Sequence, residues 1–576
     1  MIKKKDIIIL GISYNSTAEA AIIKNGKIIC AVAEERLNRV KNWYGIPRLS
    51  VDWVLKEAGI SMKNVDFITT HDGTHLKENR KPIFESAADL IKKSGEIDDE
   101  RKKAQLEILW KRYAHTENII NNRHIEYIKQ IEGYGRPVKT VAHHLAHAAS
   151  AYFTSGWNNC HALTADGWGS DASNGLYECR NGQIKEVASS SFINSLGYFY
   201  GSITKYLGFT PHKHEGKVLG LSGHGNPRKL EPFFKKMIGF DRKSKSFRGY
   251  MENGYYSPNF DNPWLTEALK NHSREDIAAG AQAALETVVL KYIQELIPQK
   301  TKLCLAGGIF ANVLLNQKIL ALPNVSDIYV YPNMSDGGLA VGSALYAYSQ
   351  IARLKPKAID HVYWGPDYND REIVTALNKY KLSYKKIGKI EKKIAELIAA
   401  GHVVARFNGK MENGPRALGN RSVIYKPNDP LVNDWLNKKL KRTEFMPFAP
   451  VTLAEHAQDC YHLIKNHVRP ANFMTITCDC TNWMKKVSPG VIHVDGTARP
   501  QLISRSQNQS YYKIIKEFYK LTGNPTLINT SFNMHEEPIV CSPSDAIRAF
   551  LDAQLPYLAI GSYLIANNNQ KTVCKN

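Results

Sequence analysis

The sequence predicts an α/β protein of two domains, the first of them internally duplicated, and three observations predict it. A strand, a polar loop and a hairpin recur at one spacing in the first two hundred residues. Strand–glycine–helix segments follow, and a break at Leu354-Lys355-Pro356-Lys357 then precedes a change of pattern. The 576-residue length is too great for one ordinary core, since domains run to roughly 100–200 residues. With 43% hydrophobic and 23% charged residues the balance is globular, which excludes disordered, collagen-like and low-complexity classes.

The first copy of the repeat runs from Asp6 to Thr17 and on from Ala20 to Val32, turning at Asn25-Gly26. The second runs from Cys160 to Asp171 and on from Gly175 to Val187, turning at Asn181-Gly182. Asn-Gly between apolar runs predicts a two-residue hairpin, because both turn positions need positive φ. Gly11 to Asn25 and Gly167 to Asn181 are both 14 residues apart. Chance is the alternative; three elements matched at one spacing favour duplication. Two such copies suggest the duplicated fold of the actin, sugar-kinase and heat-shock ATPase superfamily, in which two glycine-bearing loops face a cleft for phosphate and metal. That step is analogy at the level of fold.

Between the copies, about residues 80–135 carry helical periodicity and mixed charge, with Leu90, Ile91, Leu106, Ile108, Leu109 and Trp110 among Lys and Glu. They predict a helical insertion, serving as a cover, a dimer surface or simply a packed face. Leu303–Ala306 and Ile328–Tyr331 read as strands, each running into a glycine-bearing turn. The expected domains are residues 1–353 and 358–576, the latter ending in a polar tail near residue 568.

Composition narrows the partners. A net charge of +22 fits anionic ligands, but no long Lys/Arg run, helix-turn-helix or RNA-binding aromatic motif accompanies it. The expectation is an anionic small-molecule partner and no nucleic acid. No apolar stretch approaches the ~18 residues of a membrane span. Met1–Lys5 mimics a signal n-region, yet the apolar run Ile7–Ile12 is too short for the rest of one. Nine cysteines, with only Cys478 and Cys480 close together, form no disulfide framework, so a reducing, cytoplasmic setting is expected.

His143 and His147 stand at i and i+4, on one face of a helix, where two imidazoles can share a metal ion. A core-facing histidine pair is the plainer alternative. Asp166, in the glycine-bearing loop of the second repeat, and Asp336, in Ser-Asp-Gly-Gly after a strand, would complete an open two-histidine, carboxylate set. Such a set suits Fe2+ or a similar divalent ion better than structural zinc. Gly307-Gly308, leading through Asn312 into a helix, can cradle phosphate on backbone N–H groups, although any tight strand–helix turn also favours glycine. In the second domain, Gly409–Ser422 packs glycines, amides, Arg416 and Arg421 into one loop. Lys438, Lys439, Lys441 and Arg442 follow, then Arg499, Asn529 and Ser531 among small polar residues. Arginine forks in such surroundings predict an anion pocket rather than a solvated basic face.

In order along the chain, H-H-L-A-H (from His143), D-G-W-G (Asp166), A-G-G-I-F-A-N (Ala306), S-D-G-G (Ser335), G-P-R-A-L-G-N-R-S (Gly414), M-P-F-A-P (Met446), H-V-D-G-T-A-R-P-Q (His493) and N-T-S-F-N (Asn529) resemble the O-carbamoyltransferases of nodulation-factor and antibiotic biosynthesis. The resemblance runs from about residue 7 to 566. It implies an actin-like first domain and a second domain similar to the YrdC fold. The second domain would make carbamoyladenylate from carbamoyl phosphate and Mg2+-bound ATP, releasing phosphate and pyrophosphate. The first would pass the carbamoyl group to a hydroxyl of a small natural product or sugar, releasing AMP. By matched motif, His143, His147, Asp166 and Asp336 would hold iron. Arg416, Arg499 and Asn529 would bind ATP or carbamoyl phosphate, with Arg421, Lys439, Arg442 and Ser531 nearby, and Arg416 and Lys439 would also act in catalysis.

The chain departs from the family pattern in two places. Many relatives carry His-Asp after the first strand, where this chain has Tyr14-Asn15-Ser16-Thr17 and no histidine before His71; His224, or a carboxylate outside the motifs, is the expected substitute base. Arg406 and Lys410 stand where relatives often have Trp and Arg. Two rival readings remain: a tRNA-modifying carbamoyl-type transferase, favoured by the basic charge, and an inactive nucleotide-binding regulator, favoured by the missing histidine. Oligomeric state is encoded in no motif; a homodimer is the working expectation.

Overall fold

The computed structural model describes residues 6–14, 16–71, 79–95, 97–255, 261–441, 446–463 and 469–567. Residue contacts divide the chain into two compact units, Met1–Ile29 with Tyr44–Ala358, and Cys30–Trp43 with Ile359–Asn576.

In the first unit, β1 (Ile8–Ser13), β2 (Glu19–Lys24), β3 (Lys27–Ala33), β4 (Phe67–His71) and β5 (Val138–Val141) form a sheet in the order β3-β2-β1-β4-β5. The second sheet takes β6 (Asn159–Gly169), β7 (Ala172–Arg180) and β8 (Gln183–Ser191). After a small hairpin of β9 (Ile238–Asp241) and β10 (Ser246–Gly249), it adds β11 (Thr301–Ala306) and β12 (Val325–Val330), giving β8-β7-β6-β11-β12. The two orders are the same. In each, an antiparallel partner flanks the first strand on one side and two parallel strands extend the sheet on the other. The expected hairpins form where Asn-Gly stands: φ is 50° and 74° at Asn25 and Gly26, and 50° and 89° at Asn181 and Gly182. The duplicated actin-like, sugar-kinase-like architecture therefore rests on matched topology as well as matched sequence.

Each sheet feeds a helix, His143–Ser155 after β5 and Gly338–Ser349 after Asp336. The two helices touch backbone to backbone, which small residues permit. A Cβ on Gly342 would lie 1.9 Å from the Ala146 carbonyl oxygen, and one on Gly11 of β1 would lie 2.0 Å from that of Ala340. Gly342→Ala is accordingly expected to cost about 3 kcal/mol through forced helix separation, read as a fall in thermal midpoint.

Helices Lys81–Lys93, Asp99–Ile119 and Ile125–Glu132, the last two joined by a π turn at Ile120–His124, fill the region between the repeats. Ile91 and Leu109 are buried there, but Leu90 and Trp110 are exposed: the buried stripe of the first helix is Phe84, Ala87, Ala88 and Ile91, and Leu90 falls off it.

The second unit is also α/β. Its strands are β13 (Lys385–Lys386), β14 (Val404–Phe407), β15 (Arg421–Tyr425), β16 (Ala449–Leu453), β17 (Tyr461–His462), β18 (Cys478–Cys480), β19 (Thr497–Ala498), β20 (Gln501–Ile503), β21 (Thr526–Ser531), β22 (Tyr557–Ile560) and β23 (Tyr563–Ala566). Eight of them form a mixed sheet, β13-β23-β22-β14-β15-β21-β16-β20; the other three form a small one. Helices Ile390–Ala399 and Gln509–Thr522 pack on the large sheet through Ile394, Ile398, Ile514 and Ile515 against Val404, Ile424 and Leu527. Among the described residues no helix is long and apolar enough to cross a membrane.

Candidate active site: a metal-ligand cluster and an arginine-bearing loop

His143 opens its helix, and its backbone N–H, which a helix leaves without an internal partner, donates to Ser170 Oγ at 2.7 Å. His147 follows one turn later on the same face. Asp166 comes from β6, which continues through a bulge instead of ending in the expected loop, and Asp336 comes from the turn after β12. One ligand atom from each of the four lies within 4.8 Å of the others. Asp166 Oδ2 is 2.7 Å from His143 Nε2 and 3.3 Å from His147 Nε2, while Asp336 Oδ1 is 3.7 Å from both. Both histidines are fully buried, and Asp336, with 23% of its side chain exposed, marks the open side.

The residues fit a divalent ion. Two imidazoles and two carboxylates converge, Asp166 Oδ1 is buried without a hydrogen-bond partner, and Gly169 leaves the hollow that the His143 ring fills, since a Cβ there would lie 2.1 Å from it. Burial opposes ionisation of Asp166, but the surrounding imidazoles, His144 and His143 foremost, outweigh it and hold the carboxyl below the usual range. His144 itself is pushed down to about 4 by burial, partly offset by Asp166, so it is neutral at pH 7; it pairs with Thr164 Oγ1 at 3.0 Å.

Neighbouring elements fix the ligands in place. Ser13 Oγ donates to the Asp336 carbonyl at 2.8 Å, and Ser195 Oγ to that of Asp166 at 2.9 Å. The insertion reaches the same loop: Arg80, 3% exposed, pairs with Asp171, and Arg112 donates to the Phe192 carbonyl at 3.1 Å while the Phe192 N–H donates to that of Asp171. Arg80 and Arg112 were not candidates in the sequence, because a basic residue in a mixed-charge helical stretch carries no local mark of burial.

The other candidates of this unit are placed differently. Gly307 has φ 98°, and a Cβ there would lie 2.3 Å from the Ala165 carbonyl oxygen, so strand packing already requires glycine. Gly308 is exposed. Asn312 caps helix Val313–Ala321 through the Leu315 N–H at 3.0 Å and pairs with Gln282. His224 lies exposed just past helix Glu215–Ser222, outside the four-ligand cluster. Tyr14 is buried, donates to the His71 carbonyl at 3.2 Å and stacks on the His71 ring, which meets His143 edge-on at 5.5 Å. Asn15 lies outside the described residues.

In the second unit, the loop from Gly409 to Ser422 is organised by a residue that the sequence did not single out. Glu412, 3% exposed, accepts backbone N–H groups from Leu418 (2.8 Å), Asn420 (2.7 Å) and Arg421 (3.2 Å) on one carboxylate oxygen. Arg421 is fully buried and donates to the carbonyls of Asn408, Gly409, Asn420 and Pro366, its guanidinium 3.7 Å from the centre of the Phe407 ring. Arg406 is 1% exposed and donates to the Gly419 carbonyl at 2.9 Å. Arg421 and Arg406 thus hold carbonyls in and beside the loop, Arg406 also donating to Ser510 Oγ at 3.0 Å, and Arg416 lies half-buried on the loop's outer stretch.

Asn529 Nδ2 donates to Ala417 O and Gln501 Oε1, and Gln501 donates to Leu418 O, so β20 and β21 brace the same loop. Ser531 is registered opposite Ser422, and Arg499 is half-buried two residues before Gln501. Lys439 ends helix Val432–Lys439, partly buried, and burial lowers its ammonium below the ordinary lysine value. Arg442 lies outside the described residues.

Residues 8–345 match the family described as Carbamoyltransferase N-terminus, and residues 395–567 match Carbamoyltransferase C-terminus. Nodulation protein NolNO of Sinorhizobium fredii is 33% identical over 95% of this chain and 78% of its own length. The uncharacterized protein sll1178 of Synechocystis is 31% identical over 98% of this chain and 97% of its own. Nodulation protein U of Bradyrhizobium diazoefficiens is 24% identical over 92% of each. The motifs, the duplicated fold and these matches lead to one conclusion: the chain belongs to the carbamoyltransferase family and is a carbamoyltransferase.

Proposed function

We propose that the protein is an ATP-dependent O-carbamoyltransferase working through carbamoyladenylate. The observation that carries this reading is the convergence of His143, His147, Asp166 and Asp336 within 4.8 Å in the duplicated unit. In the second unit, water would cleave carbamoyl phosphate to carbamate and phosphate, and a carbamate oxygen would then attack the α-phosphorus of Mg2+-bound ATP, expelling pyrophosphate. Arg416 and Arg499 would neutralise charge on the phosphate oxygens as that bond forms. In the first unit, the acceptor hydroxyl would bond to the carbamoyl carbon, the bond to AMP would break, and the hydroxyl proton would be released.

His143, His147, Asp166 and Asp336 would hold a divalent ion, Fe2+ by donor chemistry, which when bound polarises the adenylate as a Lewis acid. The acceptor class is a small natural product or sugar, and the setting is cytoplasmic.

The first half-reaction can be tested without an acceptor. Purified protein with carbamoyl phosphate, ATP and Mg2+ is expected to release pyrophosphate and form carbamoyladenylate, seen by mass spectrometry. Arg416→Ala and Arg499→Ala are each expected to lower the rate by roughly 100-fold, the scale of one lost charge-stabilising donor. Folded wild type that forms no adenylate would remove the two-step mechanism.

A further inference from the structure

We infer that the segment Cys30–Trp43 is a strap that positions the loop carrying Arg416, with Arg36 as its contact residue; the inference rests on the reading of that loop as the adenylate-forming site. The chain leaves the first unit after Ile29, runs through the strap as part of the second unit and returns at Tyr44. Within the second unit the strap is anchored at each step. The Ala31 N–H donates to the Trp364 carbonyl at 3.2 Å. Arg36, 6% exposed, donates to the Gly414 carbonyl at 3.0 Å, two residues before Arg416. Leu37 packs against the buried cluster of Met411, Ala417, Ile539 and Cys541, which draws its members from both sides of Arg416. Arg39, in the left-handed conformation at φ 64°, donates to the carbonyls of Ile539 at 2.8 Å and Pro538 at 2.7 Å, in the segment after β21.

The loop needs this anchor where the strap supplies it. Glu412 gathers the N–H groups of Leu418, Asn420 and Arg421, and Arg406 and Arg421 hold carbonyls at its two ends. The stretch Gly414-Pro415-Arg416 lies between those ties: Pro415 has no N–H to donate, and Gly414 sits at φ 115°. A free backbone there would sacrifice about 1–2 kcal/mol of conformational entropy per residue when Arg416 engages a phosphate. Arg36 is suited to hold it in advance: its charge is met by Glu35 at 3.1 Å, and Glu35 is itself tied to the Asn42 N–H at 2.6 Å. What Arg36 offers Gly414 is therefore directional and independent of the substrate. Arg36 is a positioning residue.

The test compares full-length wild type, Arg36→Ala and Arg36→Lys by hydrogen–deuterium exchange and by pyrophosphate-release kinetics. Loss of a charge-assisted hydrogen bond predicts roughly tenfold faster exchange in a 409–421 peptide of Arg36→Ala, with β14 and β22 at wild-type rates. It also predicts a roughly tenfold higher KM for carbamoyl phosphate or ATP with a smaller change in kcat, partly restored in Arg36→Lys. Wild-type exchange in that peptide would overturn the strap, and so would faster exchange spread evenly over the second unit, the mark of a merely structural role. Wild type without pyrophosphate release would instead remove the adenylate reading, and the exchange data would still decide the strap.

Discussion

Glu412→Ala is expected to destabilise the second unit by roughly 4 kcal/mol and to abolish pyrophosphate release, because it strands three buried backbone donors at once. Each of the N–H groups of Leu418, Asn420 and Arg421 costs about 1–3 kcal/mol when left buried without an acceptor, and entry of water into the vacated space recovers part of the total. Those residues close the loop after Arg416 and lead into β15, so their release frees Arg416 on one side. Glu412→Gln keeps a carbonyl acceptor of nearly the same shape and is expected to retain most of the stability. Exchange protection of the 409–421 peptide and the unfolding midpoint report this directly. The chain has two units and need not unfold in one step, so local protection is the better measure of where the loss falls. An alanine variant with wild-type protection there would show that the loop is held mainly by Arg406, Arg421 and the β20–β21 amides.

Much of the first unit was legible because its signals are local. An Asn-Gly turn must take positive φ, so both hairpins could be read from dipeptides, and the repeat spacing tied them into one topology. His143 and His147 were legible for the same reason, since a helix brings i and i+4 together. Asp166 was found by motif but assigned to a loop; it lies in β6, whose bulge is a product of pairing with β7.

What stayed hidden is tertiary. Arginines in a string of glycine and asparagine read as anion binders, yet Arg421 donates to four carbonyls that converge only after folding. The one acid in Gly409–Ser422 attracted no attention among them, although a carboxylate facing several N–H groups is what a polar loop requires when it is buried. Nor does anything in β3 announce that the chain changes units within it. His224 was chosen because the expected histidine was missing; the ring that meets His143 edge-on belongs to His71, at the end of β4.

His147→Ala is expected to lower the metal affinity of the purified protein by well over 100-fold, beyond the 10–100-fold typical of losing a second-layer partner. The ligand atoms define the ranking. His147 Nε2 lies 3.3 Å from Asp166 Oδ2 and 3.7 Å from Asp336 Oδ1, so its loss leaves one imidazole and two carboxylates that repel each other without a cation between them. Arg80→Ala removes no ligand but the pairing with Asp171, in the turn after β6, along with that to Glu117 at 3.8 Å, and is expected to fall in the 10–100-fold range. Elemental analysis after dialysis against graded chelator separates the two without reference to activity. Far-ultraviolet circular dichroism checks that both variants remain folded, a necessary control because His147 is fully buried and Arg80 nearly so. Equal metal retention by wild type and His147→Ala would mean that the four side chains are not the ligand set, and that the buried carboxylate of Asp166 is stabilised by its imidazole neighbours alone.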